Sequence, residues 1–111
     1  MRRESLLWLA QRISAAVLAI CVVVHLATMI LAVRGGLSAA EILARTRGSL
    51  VWAAFYGVFV VAVAIHAPIG LRAVVAETRG GHSRAIDAAM LGFAALLLVL
   101  GVRAIAAVST R

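Results

Sequence analysis

Two histidines lie inside long stretches of sequence that contain no charged residue. His25 falls in the uncharged run 13–33, and His66 falls in the uncharged run 48–71. Ionisable side chains are costly inside a membrane, so they are candidate functional residues by default. An imidazole held in lipid can serve as an axial ligand of haem iron. The alternative is a structural histidine that forms a hydrogen bond to a neighbouring helix, but two such residues in one short chain favour a ligand.

The residues that follow His66 have the types that a bound haem could use. Gly70 lies four positions on and shares the His66 face of a helix, so a flat macrocycle could approach the backbone there. Close packing of two helices explains such a glycine equally well. Arg72 could pair with a haem propionate or with a lipid phosphate. Glu77 lies on the same face, ~16 Å from His66 along the axis, and could handle protons or simply be solvated.

The two histidines are predicted to lie at different depths in the membrane. If the first helix enters near Leu7 and the second leaves near Ala76, His25 lies ~27 Å and His66 ~15 Å from that side. The difference of ~12 Å is too large for two axial ligands of one haem. Each histidine would need a partner ligand from another chain, or the two would serve different haems.

The composition predicts the membrane environment that these residues require. The chain has 111 residues, of which 65% are hydrophobic and 14% are charged. A soluble domain has about 45–50% apolar and about 25% charged residues, and a chain of this length cannot bury the excess. A soluble enzyme domain is therefore excluded. The single Cys21 excludes a disulfide scaffold and is expected to be a small buried hydrophobe.

Three apolar stretches are each long enough to cross a bilayer as a helix, which requires ~20 residues. The predicted spans are about 7–33, 49–77 and 85–108, the third including Arg103, whose side chain can reach the interface. The first span exceeds the length of a signal peptide core, so it is interpreted as a retained helix. We predict an all-α protein with three transmembrane helices, forming a single transmembrane domain over residues 1–111.

The two connections carry turn and capping signals. In residues 34–47, Ser38 and Glu41 have the spacing of a capping box, which predicts a short interfacial helix with Ile42 and Leu43 turned to the membrane. In residues 78–84, a pair of glycines breaks the helix and His82 is expected to be solvated.

The positive charge is carried by arginine alone. The formal net charge is +7, and the arginines lie mostly at the edges of the apolar runs, where they can contact lipid phosphates. Nucleic-acid binding is disfavoured because the arginines form no continuous basic stripe. They divide almost equally between the two sides of the membrane, so the positive-inside rule does not decide the orientation. These residues are Arg2, Arg3, Arg12, Arg34, Arg45, Arg47, Arg72, Arg79, Arg84, Arg103 and Arg111.

Two short motifs resemble one known family. The pair Arg12 and Ser14 resembles the Arg-x-Ser element of succinate dehydrogenase and fumarate reductase membrane anchors, and His66, Gly70 and Arg72 resemble their His-x-x-x-Gly-x-Arg element. The resemblance implies a cytochrome b anchor subunit that holds flavoprotein and iron–sulfur subunits on the membrane. It also implies a second anchor subunit or a second copy of this chain, and a quinone that accepts electrons near the cytoplasmic edge.

The resemblance also implies roles for individual residues. The histidine that matches His66 ligates haem b, and Arg12, with Ser14 in the same motif, is expected near the quinone and the propionates. An acid at the position of Glu77 recurs in the family, usually as Asp. Some members bind two haems, with histidines of the first and second helices serving different ones, which would give His25 a cofactor-binding role as well. Arg72 is expected to bind the cofactor through a haem propionate.

Two departures from the family pattern bear on the quinone site. The family often has His where this chain has Ala73, and one of the paired anchors has Tyr where this chain has Thr78. The partner anchor is therefore expected to supply the missing donor. The resemblance places the N-terminus in the cytoplasm, with the bacterial inner membrane as the expected location.

Two other functions fit the sequence less well. A haem-free structural or assembly membrane protein would use both histidines in interhelical hydrogen bonds. A transporter subunit is disfavoured because substrate pathways usually need more intramembrane polar groups. The chain cannot be an independent dehydrogenase, since it has neither a G-x-G-x-x-G fingerprint nor a cysteine cluster. The expected role is therefore a non-catalytic anchor.

Overall fold

The structure is a computed structural model that describes residues 2–110, and these residues form four helices. The predicted interfacial position of Arg111 lies outside the described residues. Helix α1 spans Arg3–Arg34, α2 spans Ala39–Thr46, α3 spans Leu50–Arg79 and α4 spans Arg84–Ser109. Helices α1, α3 and α4 are long and apolar enough to cross a membrane, and they overlap the three predicted spans. The prediction of an all-α fold with three transmembrane helices is confirmed.

Three of the helices have a serine at the N-cap position. The hydroxyl of Ser38 accepts a hydrogen bond from the backbone N–H of Glu41 at 3.2 Å and donates one to the Glu41 carboxylate at 3.1 Å. Ser49 and Ser83 accept equivalent backbone hydrogen bonds at the starts of α3 and α4. Each hydroxyl satisfies a backbone donor that the first helical turn leaves free. The predicted short helix after residue 37 is therefore present and begins at its capping pair.

The turn between α3 and α4 depends on glycine. Gly80 ends α3 with a φ of +81°, a left-handed conformation that side chains with a Cβ rarely adopt. The N–H of Gly81 donates to the carbonyl oxygen of Ala76 at 2.8 Å, which satisfies one of the last free carbonyls of α3. The chain therefore reverses within a few residues, and α4 returns antiparallel to α3.

Helix α3 is the centre of the bundle, with α1 packed on one side and α4 on the other. Small residues allow this close approach, as is usual between membrane helices. Gly101 of α4 lies so near Val60 of α3 that a Cβ built on Gly101 would overlap the valine side chain. Three small residues of α3 are also buried, namely Ala62, Ala64 and Ala76.

The bundle has two chemically different ends. The N-terminal face contains the start of α1, the end of α3 and the start of α4, whereas the α2 face contains the opposite ends of these helices. On the α2 face, the N–H of Gly48 donates to the carbonyl oxygen of Ser109 at 2.7 Å, which ties the end of α2 to the end of α4. Ile42 and Leu43 line a cavity between α2, α3 and α4 that is open on one side, and their predicted contact with the membrane stays a prediction.

The outer surface of the bundle is apolar. Large side chains such as Ile20, Leu31, Leu91 and Val102 are more than half exposed along the three long helices. Such a surface is unfavourable in water but matches the hydrocarbon core of a bilayer. Cys21 is buried, as expected for a small apolar residue at a helix contact.

Candidate functional site

His66 faces α1 across the helix contact. Its ring nitrogen Nδ1 lies 3.4 Å from the Oγ of Ser14, a long hydrogen bond between the second and first transmembrane helices. Ser14 is only 4% exposed, so water does not compete for this contact. The two motif residues that the sequence placed on separate helices are thus direct partners.

The hydroxyl of Ser14 lies within hydrogen-bond distance of two groups. One is Nδ1 of His66, and the other is the carbonyl oxygen of Gln11, at 3.1 Å. A hydroxyl has a single proton, so if Ser14 donates it to Gln11, its Oγ can only accept from Nδ1 of His66. In that arrangement the lone pair of Nε2 is free, whereas a Ser14 hydroxyl that donates to Nδ1 places the ring proton on Nε2.

His25 is held by a different set of neighbours, near the α2 face. Its Nδ1 lies 3.3 Å from the hydroxyl of Tyr56, and its ring contacts Tyr56 and Phe59 edge to face, with centroids 5.8 Å apart in each pair. Edge-to-face packing of this kind stabilises aromatic pairs and holds the ring in one orientation. His25 is therefore positioned by α3, as His66 is by α1.

The two histidines lie at separate levels of the bundle. Tyr56, the partner of His25, precedes His66 by ten residues on α3, which corresponds to ~15 Å along the helix axis. The contacts Ser14–His66 and His25–Tyr56 belong to one antiparallel register of α1 against α3. Two axial ligands of one iron atom lie much closer together than this, so one copy of the chain cannot supply both from these histidines.

The face of Gly70 is occupied by a side chain of α1. A Cβ built on Gly70 would lie 3.1 Å from the Nε2 of Gln11, so the glycine makes room for the glutamine amide. The structure therefore favours the helix-packing interpretation of Gly70 over an open surface for a macrocycle. The Oε1 of Gln11 is buried and has no hydrogen-bond partner within residues 2–110. Sequence reasoning did not identify Gln11, although it directly precedes the Arg-x-Ser element.

Arg72 forms an ion-pair cluster that joins all three long helices. Its Nε donates to Asp87 of α4 at 2.8 Å, and its Nη2 lies 3.4 Å from the carboxylate of Glu4 on α1. Arg3 binds the other Asp87 oxygen at 2.9 Å. The Arg72 side chain is only 10% exposed, which leaves little of it for a lipid phosphate. Asp87 was missed from the sequence; its position as the one acid in the first turn of α4 was the available signal.

A groove of about 540 Å³ opens on the N-terminal face, between the start of α1 and the end of α3. We call it the N-terminal groove. The guanidinium of Arg12 stacks over the ring of Trp8 within it, 4.9 Å from the centroid, in a cation–π contact. The groove combines arginine and imidazole donors with carboxylate acceptors and apolar walls. Its lining includes Glu4, Leu7, Trp8, Gln11, Arg12, Ile69, Arg72, Ala73, Ala76, Glu77, Gly81 and His82.

The N-terminal groove unites three of the residues singled out from the sequence, Arg12, Arg72 and Glu77. Ser14 and His66 lie deeper in the bundle, about one turn of α1 beyond Gln11. His82, expected to be merely solvated, is exposed but also borders the groove. Only the fold could bring the turn residue beside the start of α1, since the two are far apart in the sequence.

A sequence model of the succinate dehydrogenase/fumarate reductase transmembrane subunit family matches residues 1–102. The chain belongs to this family. The match extends from α1 through most of α4, so it includes both motifs that carried the resemblance. No curated protein and no solved structure gave a significant match to the chain.

Membership in the succinate dehydrogenase/fumarate reductase transmembrane subunit family identifies the chain as a membrane subunit of such a complex, and confirms the family predicted from the motifs. The three apolar helices agree with an integral membrane protein. The catalytic subunits of the complex follow as its partners. Within residues 2–110, no group of three or more His, Cys, Asp or Glu side chains could hold a metal ion, although haem iron requires only an axial nitrogen.

Proposed function

We propose that this transmembrane subunit binds haem b through His66 and forms part of a quinone site in the N-terminal groove. The observation that carries the proposal is the hydrogen-bond chain from His66 through Ser14 to Gln11. A histidine that ligates a metal usually donates its other ring N–H to an oxygen, which fixes the tautomer and the ring orientation. Ser14 Oγ lies where it can accept such a bond from Nδ1 of His66 while its own proton goes to the carbonyl oxygen of Gln11.

The residues present fit an axial ligand for haem. With its proton on Nδ1, His66 would present the Nε2 lone pair that iron requires, and the ring is half-buried in an apolar bundle. Bound haem would supply a one-electron redox centre within the membrane. Because His25 lies ~15 Å away along the bundle, a second ligand for the same haem would come from another chain, either a second anchor subunit or a second copy of this one.

His25 is less suited to the same role. A phenol is more acidic than a neutral imidazole N–H, so we assign Tyr56 as the donor and Nδ1 of His25 as the acceptor. The ring proton of His25 then lies on Nε2, and a protonated nitrogen cannot ligate iron. The haem-binding role that the sequence suggested for His25 would require the opposite tautomer, and it stays a prediction.

The N-terminal groove suits the polar end of a quinone. Quinone reduction consumes two electrons and two protons, so its site needs donors to the carbonyl oxygens and a route for protons. Arg12 and His82 are candidate donors, and Glu77, which is exposed at the same groove, can exchange protons with water. We propose that Ser14 affects the quinone site indirectly, through His66 and Gln11, because its hydroxyl lies within hydrogen-bond distance of both.

The position of the groove suggests where the partners bind. Electrons for the quinone would come from the iron–sulfur clusters of one partner subunit. Those clusters would in turn receive the electrons from a flavoprotein subunit. We propose that both subunits sit above the N-terminal face and that this face is cytoplasmic in a bacterial inner membrane. The paired anchor would complete the site near Ala73 and Thr78, where this chain lacks the donors common in the family.

The alternative function is that of a haem-free structural or assembly subunit. One observation favours it: both intramembrane histidines lie within hydrogen-bond distance of a hydroxyl group on a neighbouring helix. The two functions differ in their visible spectra. The complex purified in mild detergent with its partner subunits should show the reduced-minus-oxidised spectrum of a b-type haem. A preparation that retains the flavoprotein and iron–sulfur subunits but lacks the b-type haem bands would support the haem-free alternative.

A further inference from the structure

The α2 face contains a second cavity, which has a different chemistry from the N-terminal groove. Its volume is about 570 Å³, and it lies between α2, α3 and α4, with His25 of α1 at its inner end. We call it the α2 cavity. Most of its lining is aliphatic, from residues such as Leu43, Val60, Leu100 and Ile105.

The hydroxyl groups of the α2 cavity are engaged in hydrogen bonds. The Tyr56 hydroxyl lies 3.3 Å from Nδ1 of His25, and the Thr46 hydroxyl donates to the carbonyl oxygen of Leu43 at 3.3 Å. Apart from the Nε2 of His25, the cavity therefore offers a ligand mainly hydrocarbon contact. A long alkyl chain matches such a lining better than a polar molecule does.

Positive charge collects beside this apolar cavity. Arg45 and Arg47 flank Thr46, which lines the cavity, and Arg34 ends α1 on the same face. All three arginines are exposed, and none forms an ion pair with an acidic side chain of residues 2–110. Glu41 is the one acidic side chain of the described residues on this face, and its carboxylate accepts from Ser38. Three guanidinium groups against one carboxylate give the face an excess of positive charge next to an alkyl-sized cavity.

We propose that the α2 cavity binds one acyl chain of an anionic phospholipid whose phosphate is held by Arg45 and Arg47. Guanidinium groups bind phosphate through paired hydrogen bonds, and apolar burial adds to this attraction. Helix α2 supplies both contacts, because Leu43 and Thr46 line the cavity while the arginines lie beside them. The site is independent of the proposed haem and quinone, since it lies at the opposite end of the bundle.

The test uses the complete complex, purified in mild detergent from membranes that contain both anionic and zwitterionic phospholipids. Native mass spectrometry with lipid identification then counts the phospholipids that stay bound. The double variant Arg45→Gln with Arg47→Gln removes the proposed phosphate ligands. Ala104→Phe fills the cavity and leaves the arginines in place, because Ala104 lines it. Arg84→Gln is the matched control, an exposed arginine at the start of α4, on the opposite face of the bundle from the cavity.

We expect the parent complex and Arg84→Gln to retain an anionic phospholipid, and both the double variant and Ala104→Phe to lose it. Haem content should be equal in all four preparations. Equal retention of the lipid in every variant would overturn the proposal, as would retention of zwitterionic lipid in place of anionic lipid. A loss of haem on Ala104→Phe would also overturn it, because it would assign the cavity to a haem.

Discussion

Ser14 Oγ and His66 Nδ1 face each other at 3.4 Å between α1 and α3, and Ser14 donates its own proton to the carbonyl oxygen of Gln11. The direction of these two hydrogen bonds matters more than their lengths. A bond from Nδ1 of His66 to Ser14 leaves the Nε2 lone pair of His66 available, whereas a Ser14 hydroxyl that donated to Nδ1 would place the ring proton on Nε2. The serine of the first motif is thereby linked to the histidine of the second.

Ser14→Ala should weaken haem binding without abolishing it. Loss of such a supporting hydrogen bond typically costs about 10–100-fold in metal affinity, because the ring orientation and tautomer are no longer fixed. Haem retention during dilution of the purified complex measures the effect. Ser5→Ala, an exposed serine of the same helix, is the control and should retain haem like the parent. Identical retention in both variants would contradict the role assigned to Ser14.

Asp87→Asn should lower the thermal stability of the bundle more than Arg3→Gln does. Asp87 pairs with Arg72, whose side chain is 10% exposed, and removing one partner leaves a poorly solvated charge. Arg3 is 68% exposed, and exposed ion pairs contribute little to stability. Melting of the purified protein in detergent compares the two variants. Equal melting temperatures would mean that the Arg72–Asp87 pair does not hold α3 and α4 together.

Gly101→Ala should disrupt the contact between α3 and α4, because the added methyl group would overlap Val60. Overpacking of this kind costs about 1–3 kcal/mol. Unfolding in increasing concentrations of a denaturing detergent measures the loss, and the further substitution Val60→Ala should recover part of it. Gly92→Ala on the same helix is the control, since a Cβ built on Gly92 would meet nothing within 4 Å. A Gly101→Ala variant as stable as Gly92→Ala would exclude the close contact.

Glu77→Gln should slow quinone reduction while haem content is unchanged. General acid–base groups contribute about 10²–10⁴-fold to rates, so we expect a fall in turnover of about a hundredfold if Glu77 exchanges the protons. Succinate oxidation with a soluble artificial acceptor should be unaffected, which separates the quinone site from the catalytic subunits. Glu41→Gln on the α2 face is the control. Equal quinone turnover in both variants would exclude Glu77 from the proton route.

The sequence predicted the helices better than it predicted the partners of their side chains. Uncharged runs and the Ser38–Glu41 spacing indicate helices because these signals are local. The Ser14–His66 contact and the Arg72–Asp87 pair depend on the register of one helix against another, which no local pattern contains. Ile42 and Leu43 show the same limit: their adjacent positions indicate an apolar helix face, but only the packing of α2 against α4 shows which cavity that face lines.

The most direct test of the proposed function is the haem content of the complete complex carrying His66→Ala, measured from its reduced-minus-oxidised spectrum. His25→Ala, which removes the other intramembrane histidine, is the comparison. We expect His66→Ala to lose the b-type haem signal while the flavoprotein and iron–sulfur subunits stay attached, and His25→Ala to retain it. An assembled His66→Ala complex with undiminished haem would contradict the proposal that His66 is the axial ligand.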